Sequence, residues 1–192
     1  MVDEDTTRQQ ILDAAYDLFI EKGFQGSTMR DIADKAGIKA ASIYNHFDGK
    51  ESIFKEVFLE RHPLFGLLEI LNRAIGETAE ELLSSAFDLL SREIKKEPKL
   101  LNLFFVELVE MGGKHIPEAI DTNFPHDSTF MHKIFGLKSE LRDIREPVLI
   151  RALIGTVFTN IMFNWFVGDQ KPNRWGSQSE LTDVFLRGIL RR

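Results

Sequence analysis

The chain has 192 residues, 43% of them hydrophobic and 28% charged, with a formal net charge of −6. That is an ordinary globular mix, which excludes a disordered or fibrous chain and leaves room for one large domain or two small ones. Cysteine is absent, which excludes a disulfide scaffold, a thiolate zinc site and a cysteine nucleophile.

The opening residues Met1-Val2-Asp3-Glu4-Asp5 are acidic and lack an apolar core, so no signal peptide is expected. A cytoplasmic protein is. Helical periodicity then runs along the chain. Ile11, Ala14, Ala15, Leu18 and Phe19 recur at helical spacing, one face of a helix. Thr7 with Gln10 reads as a capping box and Gly23 as the left-handed stop, which predicts a helix over about residues 7–22. After the turn at residues 23–27, Thr28 with Asp31 restarts a helix. Ile32, Ala33 and Ala36 line its inner face, and Gly37 ends it. A third helix is expected from Ala40 to Phe47, anchored by Ile43 and Phe47. Asp48 and Glu51 read as a further capping box. That box opens a fourth helix with Ile53, Phe54, Val57 and Phe58 on one face, ending near His62-Pro63.

Beyond Pro63, Leu82, Leu83, Ala86, Phe87, Leu90 and Ile94 form a stripe, broken at Pro98. Leu100 to Met111 is apolar nearly all round, as in a buried helix, and Gly112-Gly113 stops it. Residues 114–127 read as irregular. Phe130, Ile134, Phe135 and Leu137 suggest another helix. Pro147 opens a strong one through Val167, stopped by Gly168. Residues 169–176 read as a loop containing Pro172. Ser177 with Glu180 caps the last helix, which buries Leu181, Val184, Phe185 and Ile189. The chain is thus expected to be all-α. The 148–168 stretch is long enough to span a bilayer, but Arg151, Asn160 and Asn164 make that costly. A helix buried between two subunits is expected instead, with no membrane partner.

Charge along the chain singles out one segment. Residues 22–50 hold five basic residues (Lys22, Arg30, Lys35, Lys39, Lys50) against three acidic ones (Asp31, Asp34, Asp48), a local reversal of the global sign. The stretch TMRDIADKAGIKAASIYNHF at 28–47 reads as helix, glycine turn, helix. Small residues Ala33, Ala36 and Ala41 suit the helix crossing. Gly37 suits the turn, and Ile32, Ile38, Ile43 and Phe47 are the apolar anchors. The outer face then offers Lys39, Ala40, Ser42, Tyr44, Asn45 and His46, short or polar groups suited to a groove floor or to phosphates.

From Ile11 to Phe58 the sequence resembles the tetracycline-repressor (TetR) family of transcriptional regulators. The motifs that carry this are Leu-Phe followed by Lys-Gly-Phe at the end of helix one, the Thr before helix two, Ile-Ala and Ala-Gly at the turn, Tyr-x-His-Phe, and Lys-Glu. The resemblance implies an N-terminal three-helix helix-turn-helix domain over residues 1–62. A fourth helix would join it to a helical effector-binding and dimerisation domain over residues 63–192. It also implies roles. Thr28 would cap helix two and contact a phosphate, with Met29 and Arg30 near the DNA. Lys39, Ala40, Ser42 and Ile43 would open the recognition helix. Tyr44, Asn45 and His46 would face backbone or bases, and Lys50 would meet a phosphate. The family often has Ser-Lys-Gly where this chain has Lys39-Ala40-Ala41. The basic side chain is displaced by one position, about 100° around the helix, and the hydroxyl cap is missing.

The implied assembly is a homodimer through helices at about 147–167 and 178–190. It would read an inverted-repeat operator in double-stranded DNA, with recognition helices about 34–36 Å apart. The chain holds 16 Phe, many after residue 63, which suggests a pocket for a small apolar or aromatic effector. Phe104, Phe105, Glu107, Met111, His115, Phe130, Met162 and Trp165 are its candidate lining. The expected action is repression, with the effector shifting the dimer to a form with misspaced recognition helices. No catalytic residue, cofactor or metal is expected. A His-Glu metal pair at i, i+4, a glycine-rich phosphate loop and a Gly-x-Ser-x-Gly elbow are all missing. The rival reading is a carrier or interaction module that has lost DNA binding, separable by salt-dependent binding to duplex DNA.

Overall fold

The computed structural model describes residues 4–61, 63–96, 99–123, 128–167 and 176–191. The described residues are helical. In chain order they form α1 (Glu4–Lys22), α2 (Met29–Lys35), α3 (Ala40–Ile43), α4 (Lys50–Arg61), α5 (Pro63–Asn72) and α6 (Ala79–Lys96). Then come α7 (Lys99–Glu110), α8 (Ile116–Asn123), α9 (Thr129–Gly136), a 3-10 turn at Lys138–Glu140, α10 (Glu146–Val167) and α11 (Gln178–Ile189). The expected break at Pro98, the irregular stretch at 124–127, the stop at Gly168 and most of the 169–176 loop lie outside the described residues.

Two compact units result: Met1–Gly66 with Pro98–Phe124, and Leu67–Glu97 with Pro125–Arg192. A single cut near residue 62 was expected. Instead α7 and α8 fold back onto the first unit, because their apolar side chains complete its core. Ile11, Leu12, Ala15, Phe19, Ile32, Ala33, Ile43, Ile53, Phe54 and Val57 are fully buried there, together with Leu103 of α7 and Ala119 of α8. Phe54 is the hub. Its ring centroid lies 5.1 Å from Phe19, 5.4 Å from Phe24 and 6.2 Å from Phe58. The Phe19 and Phe24 pairs are edge to face and the Phe58 pair is stacked; such aromatic pairs contribute beyond burial alone, and burying one such side chain is worth about 1.5–3 kcal/mol.

The second unit is built from apolar stripes. α6 buries Leu82, Leu83, Ala86, Phe87 and Leu90. α10 buries Leu149, Leu153 and Val157, and α11 buries Phe185, Leu186 and Ile189. Phe87 and Phe185 meet edge to face at 5.0 Å. Side chains close several termini of this unit. The Ala79 N–H donates to Glu140 at 2.8 Å, and the Phe130 N–H donates to Asn72 at 3.0 Å. Among the described residues, one buried side-chain polar group is left over. The Ser91 hydroxyl on α6 has no hydrogen-bond partner, and the Phe87 carbonyl one turn back faces Gln178 Nε2 at 3.5 Å. Residues Glu146–Phe163 of α10 are apolar and long enough to cross a membrane by length and composition. Within the unit, however, α10 packs against α6 and α11.

Some local expectations differ from the structure. α1 starts at Glu4, so Thr7 and Gln10 sit inside the helix rather than capping it. Residues 116–123 form α8 rather than irregular chain. Pro117 falls in its first turn, where a missing N–H costs nothing. The α4 start uses the Ser52 hydroxyl, which accepts from the Gly49 N–H at 3.3 Å and donates to the Gly49 carbonyl at 2.7 Å. Glu51 is drawn instead to Lys114. The last helix is capped as expected: Ser177 and Glu180 form a complete capping box.

Candidate nucleic-acid interface

The α2–turn–α3 segment is built by local rules. Thr28 caps α2: its Oγ1 accepts the Asp31 N–H at 3.1 Å, while the Asp31 carboxylate accepts the Thr28 N–H at 3.0 Å. The Thr28 hydroxyl also donates to that carboxylate at 2.7 Å, and these bonds hold the Asp31 carboxyl below its ordinary range. Gly37, at φ 71°, ends the helix. The Ile38 N–H reaches the Ala33 carbonyl at 3.0 Å and the Gly37 N–H the Asp34 carbonyl at 3.2 Å, the paired bonds of a Schellman stop. Ile38 then packs on the core beside Ala36.

α3 is short. Regular helix covers Ala40–Ile43, where a helix to Phe47 was expected. Beyond Ile43 the chain tightens, with Asn45 N–H to Ser42 and His46 N–H to Ile43 carbonyl bonds of 3.1 Å each. Lys39 stands at the N-cap position without a side-chain cap, as the missing hydroxyl implied. The face is nonetheless well defined. Ile43 and Phe47 are buried, while Lys39, Ala40, Ala41, Tyr44 and Asn45 are exposed and Ser42 and His46 half-buried. Tyr44 is 59% exposed, unusual for a large aromatic next to a core.

One residue of the expected set falls on the inside. Ile43 is 0% exposed, so it anchors α3 to the core and cannot open the recognition surface. Ala41 is exposed, so Ala33 and Ala36 alone serve the crossing with α2. Met29 is half-buried against the core and Arg30 is exposed, facing Asp34 at 3.9 Å.

Lys50 does something the sequence did not suggest. Its Nζ donates to the Phe24 carbonyl at 2.5 Å and the Ser27 carbonyl at 2.7 Å, and sits 4.2 Å from the Phe24 ring centroid. Two of its three donors are thus committed to the α1–α2 turn rather than turned out toward a phosphate. Burial pulls its ammonium below the ordinary lysine range, and the Glu110 carboxylate pulls it back up.

The expected effector-pocket residues are divided between the two units. Phe104, Phe105, Glu107, Met111 and His115 lie in the first unit, Phe130 and Met162 in the second. The Trp165 side chain lies outside the described residues. Glu107, 0% exposed, and His115, 4% exposed, bind each other. One Glu107 oxygen accepts the His115 backbone N–H at 2.6 Å, and the other meets His115 Nδ1 at 2.9 Å. A buried carboxylate needs donors, and the α7–α8 turn supplies both. Phe104 and Phe105 are half-buried on α7, with ring centroids 6.2 Å apart, and Met111 packs on the first core. Phe130, 3% exposed, belongs to the second core.

Residues that sequence reasoning passed over join α7, α8 and the turn between them to the α1–α2 turn and to α4. Glu110 accepts the Gln25 N–H at 2.7 Å. Lys114 pairs with Glu51, and Lys55 with Glu118 at 2.8 Å. One signal was legible. Glu107 and Glu110 fill the last turn of α7, where the helix dipole disfavours carboxylates, so each needed a partner elsewhere.

Residues 11–57 match the family model described as bacterial regulatory proteins, tetR family. Through this segment the chain is similar to the tetR family. Among curated relatives, the transcriptional repressor KstR2 of Rhodococcus jostii is 41% identical over 87 residues, 42% of each chain. The biofilm-operon negative regulator IcaR of Staphylococcus aureus is 49% identical over 49 residues, 26% of each chain. The matched stretch therefore spans less than half the length of these relatives. The tetR likeness in fold covers nearly the whole chain. A tetR-family regulator of Vibrio parahaemolyticus aligns at TM-score 0.68 and 18% identity, over 97% of this chain and 100% of that one. The fatty acid degradation regulator FadR of Bacillus halodurans aligns at 0.66 and 21% identity, over 96% of both.

Proposed function

We propose that this chain is a transcriptional regulator, acting as a repressor, that binds an inverted-repeat operator as a homodimer in the cytoplasm. The carrying observation is the outer face of α3, where Lys39, Ala40, Tyr44 and Asn45 are exposed while Ile43 and Phe47 hold the element to the core. Exposing an aromatic beside an amide and a cation suits base edges and phosphates. Thr28, Met29, Arg30, Ser42 and His46 flank that face. The tetR segment and the repressor relatives favour this use of it.

The homodimer reading is supported by the second unit. Val148, Phe163 and Val184 on α10 and α11 are large apolar residues left exposed, at 43%, 38% and 67%. Pairing these helices with a second copy would cover them. A small apolar or aromatic effector acting on the second unit completes the reading, with Phe130, Met162 and Trp165 its remaining candidates. No catalytic step, cofactor or metal forms part of it.

The test is fluorescence anisotropy with duplex DNA from upstream of the chain's own gene, across a salt series. The expected result is tight binding to one inverted repeat, weakening steeply with salt. Tyr44→Ala should weaken it about tenfold or more without changing the melting temperature. Absence of binding at low salt would remove the regulator reading and favour the carrier module.

A further inference from the structure

We propose that Glu110 of α7 is a positioning residue of the DNA-contacting head, holding the α1–α2 turn and through it the start of α2. The proposal rests on the regulatory reading above and adds a residue to it.

The turn from Gly23 to Ser27 is gripped from two sides by opposite charges. On its donor side, the Gln25 N–H gives a 2.7 Å bond to Glu110. On its acceptor side, Lys50 of α4 takes the Phe24 and Ser27 carbonyls. Inside the turn, the Ser27 hydroxyl, on a residue 1% exposed, donates to the Gly23 carbonyl at 2.8 Å. Thr28, the cap of α2, follows directly. Bonds to charged groups are about twice as strong as neutral ones, so both grips are strong for a surface turn.

Gly23 permits the approach. Its φ is 74°, and a Cβ there would overlap the Glu110 carboxylate. The carboxylate is itself held in place. Gly112 and Gly113, at φ 70° and 75°, end α7, and the buried Glu107–His115 pair closes the turn into α8. Lys114–Glu51 and Lys55–Glu118 then fasten that turn and α8 to α4. A shift of α7 along its axis would withdraw the acceptor from Gln25 and free the segment that aims Thr28, Met29 and Arg30. In chain order α7 directly follows α6, a helix of the second unit.

The experiment uses the full chain and compares wild type with Glu110→Ala and Glu110→Gln. Three quantities are read: amide hydrogen exchange at Gln25 and Asp31, operator affinity, and melting temperature. In Glu110→Ala, Gln25 exchange should accelerate about tenfold and operator affinity should drop about fivefold, with the melting temperature nearly unchanged. Glu110→Gln keeps an oxygen acceptor and should restore most of both. A merely structural residue would move the melting temperature and would not discriminate Ala from Gln in this way. The proposal is overturned if Gln25 stays protected in Glu110→Ala, or if it is released and operator affinity does not change. A wild type that binds no duplex DNA would sink the regulatory reading instead. Exchange at Gln25 and Asp31 would still decide whether Glu110 sets the turn.

Discussion

In the first unit, Phe54 touches Phe19, Phe24, Phe58 and His115. Around it the buried Glu107 and His115 bind each other, and charged side chains of α4 pair with the α7–α8 turn and with α8. In the second unit, α6, α10 and α11 meet through aliphatic and aromatic stripes. There the Ser91 hydroxyl stays buried and unpaired, and Val148 and Val184 stay exposed. Directional bonds fix the geometry of a surface, which a sequence reader needs. Apolar stripes fix only which face is buried, because hydrophobic attraction has no direction. The first unit is therefore built for a fixed shape. The second is built with apolar surface to spare, which suits association.

The largest expected effect is on the aromatic hub. Phe54→Ala should destabilise the first unit by about 3–5 kcal/mol. Amide hydrogen exchange at described residues follows each unit separately. In a urea titration, amides of the first unit should lose protection in an early transition that those of the second unit do not follow. Coincident transitions would mean that the units unfold as one, and the contrast drawn above would fail.

Next comes the buried pair. Glu107→Ala leaves the His115 backbone N–H and ring without acceptors, and should cost about 2–3 kcal/mol. Glu107→Gln, which keeps an acceptor, should cost visibly less by the same titration. Equal losses would mean that packing rather than hydrogen bonding holds the α7–α8 turn. The smallest effect has the opposite sign. Ser91→Ala removes an unpaired buried hydroxyl and should stabilise the second unit by about 1 kcal/mol, read from amide exchange of that unit. A loss of stability would show that the hydroxyl contributes to its packing, and the second unit would look more like the first.

Much of this was legible locally. The Thr28–Asp31 and Ser177–Glu180 boxes, the stop at Gly37 and the span of α6, α7 and α10 all follow from neighbours within a few residues, so periodicity and cap chemistry find them. Some contacts lie outside that range. The apolar surface of α7 announces burial but not in which core, and the single cut near residue 62 followed from that gap. Ile43 was read both as an anchor and as a contact, and burial decided for the anchor. Lys50 and Glu110 lie 60 positions apart in sequence, so no local pattern could pair them across the α1–α2 turn.

The sequence by itself determined most of the helices, most of their ends and the helix-turn-helix face with Tyr44, since these depend on hydrogen bonds and spacings within one or two turns. Only the tertiary structure decided that α7 and α8 join the first unit, that Glu107 and His115 spend their polarity on each other, and that Lys50 and Glu110 grip one turn. Those outcomes depend on which distant side chains reach a buried or charged group first, and a charge taken from water binds whatever partner the packing brings to it.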